Sequence, residues 1–418
     1  MRIAVVGGGV SGIVAAHALH PRHEITLFEA ADYLGGHTNT ITVDRPDGPP
    51  LQIDTGFIVL NDRNYPRFTE LLAQAGVATQ PTHMGFSVKG EDEDFEYAGT
   101  PRGVFAQPKN AANPKFWRMI KDVTSFNRAL TKILADNVDE DRSLRTFVED
   151  QGYSKWFIER LIVPQASAVW SSDPAAMWDF PVRFLAEFFH NHGMLGFRNR
   201  PSWQTIQGGS SAYTSSLSEH FQDKVRLNSK VTSIRRYPDH VEVNYQRRSG
   251  QEGGGQAEHF DFVVIATHAD QALAALTDAT NAERSVLSAF SYSRNEAVLH
   301  TDSRLLPHRQ AARQAWNFHL FAQPRRKTTV TYYMNRLQRL NCAETYCVSL
   351  NMTERIDPAK VIRKIDYSHP IYTRASVAAQ ARWPEISTDG RTRYAGAHWG
   401  WGFHEDGVVS ALRAVEGL

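Results

Sequence analysis

The 418 residues carry 46 lysines and arginines against 45 acids, 42% hydrophobic side chains and two cysteines. A chain of this length can bury a large core and is predicted to form two or three domains. A net charge of +1 gives no long-range attraction for nucleic acid, two cysteines cannot make a disulfide framework, and no apolar run reaches the roughly 18 residues that span a bilayer. Cys342 and Cys347 are expected as free thiols in a reducing cytoplasm, with the protein soluble or resting on the inner face of a membrane.

The apolar run Ile3 to Val6 reads as a strand. After it come Gly7, Gly8, Gly9 and Gly12, a helix-forming stretch, a second strand from His23 to Phe28, then Glu29 and Gly35-Gly36. This order answers the demands of holding an adenine dinucleotide. Gly7 lets the chain turn sharply out of the strand, Gly9 lets the backbone approach a pyrophosphate with no Cβ in the way, and Gly12 lets the helix lie close to the sheet. Val10 and Ser11 open that helix, whose unpaired N–H groups and positive dipole end supply an anion site without a lysine. Glu29 falls about twenty residues past the turn, where a carboxylate can accept both hydroxyls of an adenosine ribose. No arginine follows it, which argues against a 2′-phosphate. A secretory signal fits the segment badly, since Ser11 and the glycines interrupt it and no basic leader or cleavage site accompanies it.

Residues Glu91 to Glu96 form an acidic run, expected as a solvated turn. From Pro114 to Asn191 the pattern is helical, with large apolar faces that include Trp117, Phe126, Leu130, Phe147, Trp156, Phe157, Leu161, Trp170, Phe184, Phe188 and Phe189. Trp203 to Ser210 precede a helix from Ser211 to Phe221 and a strand from Val225 to Ile234. The alternating run His240 to Tyr245 and the apolar run Phe260 to Ala266 flank Gly253-Gly254-Gly255, a hairpin that would return Val263, Val264, Ile265 and Ala266 to the first sheet. Ala297 to Thr301, Ala315 to Phe321, Thr328 to Asn335 and Tyr346 to Asn351 alternate or are β-branched, as in an antiparallel sheet. Lys115 to Arg118 and Pro324 to Lys327 mix basic and apolar groups, either as solvated loops or as peripheral membrane contacts.

These elements predict an α/β fold, α+β overall. A Rossmann-like dinucleotide domain takes residues 1–65, 200–275 and 385–418. It is interwoven with a substrate domain of antiparallel sheet plus helices from 66–199 and 276–384, with a helical insert at 114–191.

Spaced motifs run the length of the chain: the N-terminal turn with Glu29 and Gly35-Gly36, Asp54-Thr55-Gly56, Trp203 to Ser210, Val231, Ala266-Thr267 and the glycine block from Tyr394 to Gly407. Together they make the chain resemble the flavin amine oxidase superfamily, which also holds phytoene desaturases and protoporphyrinogen oxidases. The resemblance implies an amine-oxidase-like fold and non-covalently bound FAD, since no cysteine lies near the terminal block. Gly7, Gly9, Val10, Ser11, Gly12, Gly35, Gly36, His37 and Thr38 would then surround its pyrophosphate and ribityl chain, Glu29 its ribose, and Val231 its adenine. Ala266 and Gly396 would approach the cofactor, and a helix opening at Gly407, with His404, Glu405 and Asp406, would point N–H groups at the pyrimidine side of the flavin. His37 stands where the family carries arginine, and Ala397-His398 where it carries an acid, so phosphate and ribityl contacts are expected to be rearranged. The block His398 to Gly407 also resembles a bacterial branch of flavoproteins that work beside cyclopropane and methyl-branched fatty-acyl lipid synthesis.

A bound flavin takes hydride itself, so such a site can lack a catalytic base. The sequence offers no Ser-His-Asp elbow, no His-Glu-x-x-His and no metal spacing. Catalytic residues therefore stay unassigned. Trp399, Trp401, Phe403, His190 and His192 are candidates to line the site, the tryptophans either facing substrate or packing on the sheet, the histidines either carrying protons or merely hydrogen-bonded. The expected activity is oxidation or desaturation of a long apolar substrate such as a fatty-acyl lipid. A peroxide-releasing amine oxidase and a flavin-holding partner protein without turnover are the alternatives.

Overall fold

The computed structural model describes all residues except 47, 137–141, 197–199, 248–254, 324 and 388–389. Gly253-Gly254 of the expected hairpin loop and Pro324 fall outside the described residues.

A five-stranded sheet runs in the order β10 (Val225–Arg226), β2 (Glu24–Phe28), β1 (Arg2–Val6), β14 (Phe262–Ile265), β20 (Thr392–Tyr394). All its pairings are parallel. β1 and β14 sit at its centre and are apolar on both faces, as strands covered on both sides must be. Beside it lies a three-stranded sheet of β11 (Ser229–Arg236), β12 (Val241–Arg247) and β13 (Gln256–Phe260).

A seven-stranded sheet lies in the order β19 (Val361–Ile371), β15 (Ser291–His300), β18 (Cys347–Leu350), β17 (Val330–Tyr333), β16 (Trp316–Leu320), β7 (Phe86–Gly90), β8 (Glu96–Ala98). It is antiparallel except where β16 meets β7. Two small sheets link these layers: β3 (Thr40–Val43) with β4 (Leu51–Asp54), and β5 (Val59–Asn61), β9 (Trp203–Ile206), β6 (Thr79–Pro81).

Helix α1 (Val10–Leu19) follows β1, and α2 (Pro66–Gln74) packs against the C-terminal helix His404–Val415. Helix α3 (Pro114–Ala135) begins the helical region, which ends with Val182–Asn191. One large cluster of buried apolar side chains surrounds the parallel sheet, and another joins the helical region to the seven-stranded sheet. Phe403 packs against both.

Four sequence expectations change. The run Val225 to Ile234 is two strands, because Asn228 takes a left-handed turn (φ 53°) that moves the chain from the parallel sheet to its neighbour. The hairpin closes β12 onto β13, and the buried strand is a separate one starting at Phe262 after a break at Asp261. Trp117 is 50% exposed, on the outer side of α3. The run Glu91 to Glu96 is solvated only in its middle. Glu91 holds His319 at 2.7 Å and Lys89 at 3.3 Å, and the buried Glu96 accepts the N–H groups of His308 and Arg309 at 2.7 and 3.0 Å.

Candidate functional site

The turn after β1 is shaped by what a side chain would hit. Gly7 has φ +104°, and a Cβ there would lie 2.8 Å from the Ala266 carbonyl oxygen. A Cβ on Gly12 would lie 1.7 Å from the carbonyl oxygen of Gly7, so only glycine lets α1 sit this close to the sheet. Gly9 is different: a Cβ there would meet nothing within 4 Å. Its open side faces a cavity, and as N-cap of α1 it brings no side chain to the helix's first N–H groups. Gly35 bridges back to this turn through its N–H on the Gly8 carbonyl at 2.8 Å, and Gly36 lies against Gly9.

The cavity measures about 1450 Å³, more than the roughly 300–1,000 Å³ of a pocket for one small ligand. It passes between the two apolar cores. Among the expected cofactor residues, Gly7, Gly9, Val10, Ser11, Glu29, Gly35, Gly36, His37, Val231, Ala266, Gly396 and His404 line it, as do His192, Trp401 and Phe403 among the substrate candidates.

The remaining expected residues serve the frame. Gly12 is spent on helix packing. Thr38 is buried and bonds both Tyr213 (2.6 Å) and His404 Nε2 (2.8 Å). Glu405 accepts the N–H groups of Arg67 and Phe68 at 3.0 and 2.9 Å and so caps α2. Asp406 accepts the Phe403 N–H at 2.9 Å and shapes the glycine block. Gly407 lies against Val10 and Ser11, inside a helix that opens at His404 rather than at Gly407. Trp399 is buried against Phe290 and His398, away from the cavity, and His190 is exposed on the outer side of its helix. These two substrate candidates are therefore corrected: each is a close sequence neighbour of true lining residues but faces the opposite way.

Glu29 lies at the cavity wall with both oxygens engaged by backbone, the Gly8 N–H at 2.6 Å and the Ala31 N–H at 2.7 Å. Burial, and then His369, His268 and His404 nearby, push the His37 imidazole well below its ordinary range, so it is neutral. It stacks on Tyr367 at 4.8 Å, and its Nε2 is buried without a hydrogen-bond partner in the chain. Burial likewise lowers His192 to about 4 and His404 to about 3. His404 stacks face to face on Phe57, 3.5 Å between centroids. Asp54 underlies the site. Burial raises its carboxyl to about 6, although it accepts Thr40 Oγ1–H at 2.6 Å and both the N–H and Oγ–H of Ser210 at 2.8 Å.

Beyond the glycine turn the wall is aromatic. Phe188 stacks on Phe403 (5.3 Å, 21°) and on His192 (3.8 Å, 25°), and Trp316, Tyr332, Phe86 and Tyr97 extend it. Sequence reasoning missed Tyr367 and His369 of β19, together with Tyr292 and His268. The alternation in β19 was a strand signal, and His268 could have been found as a residue just past the carboxyl end of a central parallel strand, where ligands of such sheets gather.

The open Gly9 cradle, the uncapped α1 N-terminus, the carboxylate at the end of β2 and the buried, unbonded Nε2 of His37 all suit an extended anionic dinucleotide. Residues 10–333 match the family described as flavin containing amine oxidoreductase. An L-amino acid oxidase of Cerastes cerastes is 22% identical over 279 residues, 64% of this chain and 50% of that protein, so the match spans half the length of that relative. Among solved structures, cyclohexylamine oxidase from Brevibacterium oxydans superposes with a TM-score of 0.66 at 15% identity, covering 99% of this chain and 97% of the other. A CLA-producing fatty acid isomerase from P. acnes gives 0.67 at 15% identity with the same coverage. These likenesses show the fold.

Proposed function

Because the chain belongs to the flavin containing amine oxidoreductase family, we propose that it is an FAD-dependent oxidoreductase acting on a C–H bond of a long apolar substrate such as a fatty-acyl chain, which it oxidises or desaturates. FAD, held non-covalently, supplies the hydride acceptor. The chain's own residues bind, orient and dry the site. The α1 N-terminus and Gly9 receive the diphosphate, Glu29 the adenosine ribose and the Val231 backbone the adenine. The C-terminal helix opens at His404 on the cavity wall, and its amino end would favour negative charge on a flavin held there. Trp401, Phe403 and Phe188 exclude water and orient the substrate. The domain division into 1–65, 200–275 and 385–418 against 66–199 and 276–384 belongs to the same proposal, as does an association with cyclopropane or methyl-branched fatty-acyl lipids.

The observation that carries the substrate class is the make-up of the cavity wall. Among the described lining residues the only carboxylates are Glu29 and Asp366. Glu29 stands just past β2 at the end of the cavity assigned to the adenosine, and Asp366 is exposed, so a cationic amine at the aromatic end would find no buried counter-charge, while an acyl chain finds rings. The fold itself accommodates an acyl-chain enzyme as well as an amine oxidase, since a fatty acid isomerase and a cyclohexylamine oxidase both share it. Anaerobic mixing of the flavoprotein with fatty-acyl phospholipids should bleach the flavin. Bleaching with simple amines and with no lipid would favour the second reading, a peroxide-releasing amine oxidase, which the family and the L-amino acid oxidase relative support.

A further inference from the structure

Helix α3 carries Lys115, Arg118, Lys121, Arg128 and Lys132, all exposed, while its one acid, Asp122, is buried against Arg118 at 3.0 Å. Its inner face holds Phe116, Met119, Phe126, Leu130 and Ile133 in the core. The polar face therefore carries five exposed cations before the exposed Asp136 that caps the helix, in a chain whose net charge is only +1. At the amino end of that face sits Trp117, 50% exposed, with its ring 5.7 Å from Phe105, 40% exposed. They are the only exposed large aromatic side chains among the described residues. Two solvent-facing rings beside a row of cations match a surface with an apolar interior and an anionic rim, which is an anionic phospholipid bilayer.

The patch also adjoins the cavity. Tyr97, Gly99 and Thr100 line the cavity, and Gly99 is among its exposed lining residues, as are Pro81, His83, Arg200 and Ser202. From Thr100 the chain makes a tight turn, Val104 N–H on the Thr100 carbonyl at 2.9 Å, and arrives at Phe105. Inside, the rings of Tyr97, Phe116 and Phe105 follow one another at 6.1 and 6.4 Å. We propose that the outer face of α3, with Trp117 and Phe105, docks the protein on an anionic membrane surface and presents the Gly99–Thr100 mouth of the cavity to the lipid. The docking surface stands on its own exposure and charge; only the purpose of the mouth rests on the acyl-chain reading.

Sedimentation of the flavin-loaded protein with phosphatidylcholine vesicles, with and without phosphatidylglycerol, tests this. Binding is expected only with phosphatidylglycerol and should weaken with added salt. The exposed double variant Lys121→Gln/Arg128→Gln should lose about fivefold in binding for each cation removed, with its flavin spectrum and melting temperature unchanged. Phe105→Ser/Trp117→Ser should weaken binding as well. Equal binding to both vesicle types, no binding at all, or variants that bind like the parent but change the oligomeric state would overturn the proposal, the last by assigning the patch to a second copy of the chain. A yellow, lipid-oxidising protein that ignores vesicles would sink the docking surface alone; a vesicle-bound protein without flavin would sink the function alone.

Discussion

The two ends of the cavity are made of different material. The end under β1 and α1 is backbone: Gly7, Gly9, Gly35 and Gly36 shape it, and the helix's own N–H groups are its binding chemistry. The other end is side chain, with rings from the helical region, the seven-stranded sheet and the terminal block meeting across hundreds of residues. In the backbone site an added Cβ collides at Gly7 and Gly12, where the chain packs on itself, and meets open space at Gly9, where the turn faces the cavity. A side-chain site can exchange one ring for another and alter its preference while keeping its shape.

Substitutions in the glycine turn test that contrast most severely. Gly12→Ala puts a methyl against the Gly7 carbonyl. Helix propensity alone would favour alanine by about 1 kcal/mol, yet a loss of at least about 3 kcal/mol is expected because backbone cannot yield; chemical denaturation measures it, and a stabilised variant would remove the packing role. Gly9→Val should do the reverse. The variant should melt as the flavin-stripped parent does, since the new side chain meets open space, and purify colourless, without the added stability that bound FAD gives the parent; retained yellow colour would misplace the cradle.

Below the cradle, Asp54→Ala strands the Thr40 and Ser210 donors, which should cost about 1–3 kcal/mol. The pH dependence has a defined sign. The folded carboxyl sits near 6 against an ordinary 3.8, so the native state holds the proton more tightly, and this group's contribution declines as pH rises from about 4 to about 6. Asp54→Asn should flatten that part of a stability-against-pH curve. Glu29→Ala should weaken FAD by about 1.5–3 kcal/mol through one charge-assisted pair, measured by flavin fluorescence on dissociation. The smallest effect belongs to the aromatic end: Phe403→Tyr should leave FAD affinity unchanged and, under the acyl-chain reading, confer no amine turnover.

The same contrast explains what the sequence disclosed. β1, the glycine turn, β2 and Glu29 were legible because local spacing alone writes them. The aromatic end was half legible. Trp401 and Phe403 could be named from the terminal block, yet Trp399, two residues away, turned into the core, and His190 faced outward where His192 faced in. Which side of a turn or helix meets the cavity depends on partners distant in the chain, and periodicity carries no record of them. Glu405 and Asp406, named as cofactor residues, have side chains that cap α2 and pin the glycine block, and the first of these contacts is set by where α2 packs.

The central claim is that the β1–α1 turn and the C-terminal glycine block close around one flavin dinucleotide. The most direct measurement is the absorbance spectrum of protein produced with ample riboflavin, followed by heat release and identification of the nucleotide. Visible flavin bands and about one FAD per chain, released without covalent attachment, are expected; colourless protein that takes up no added FAD would contradict the claim.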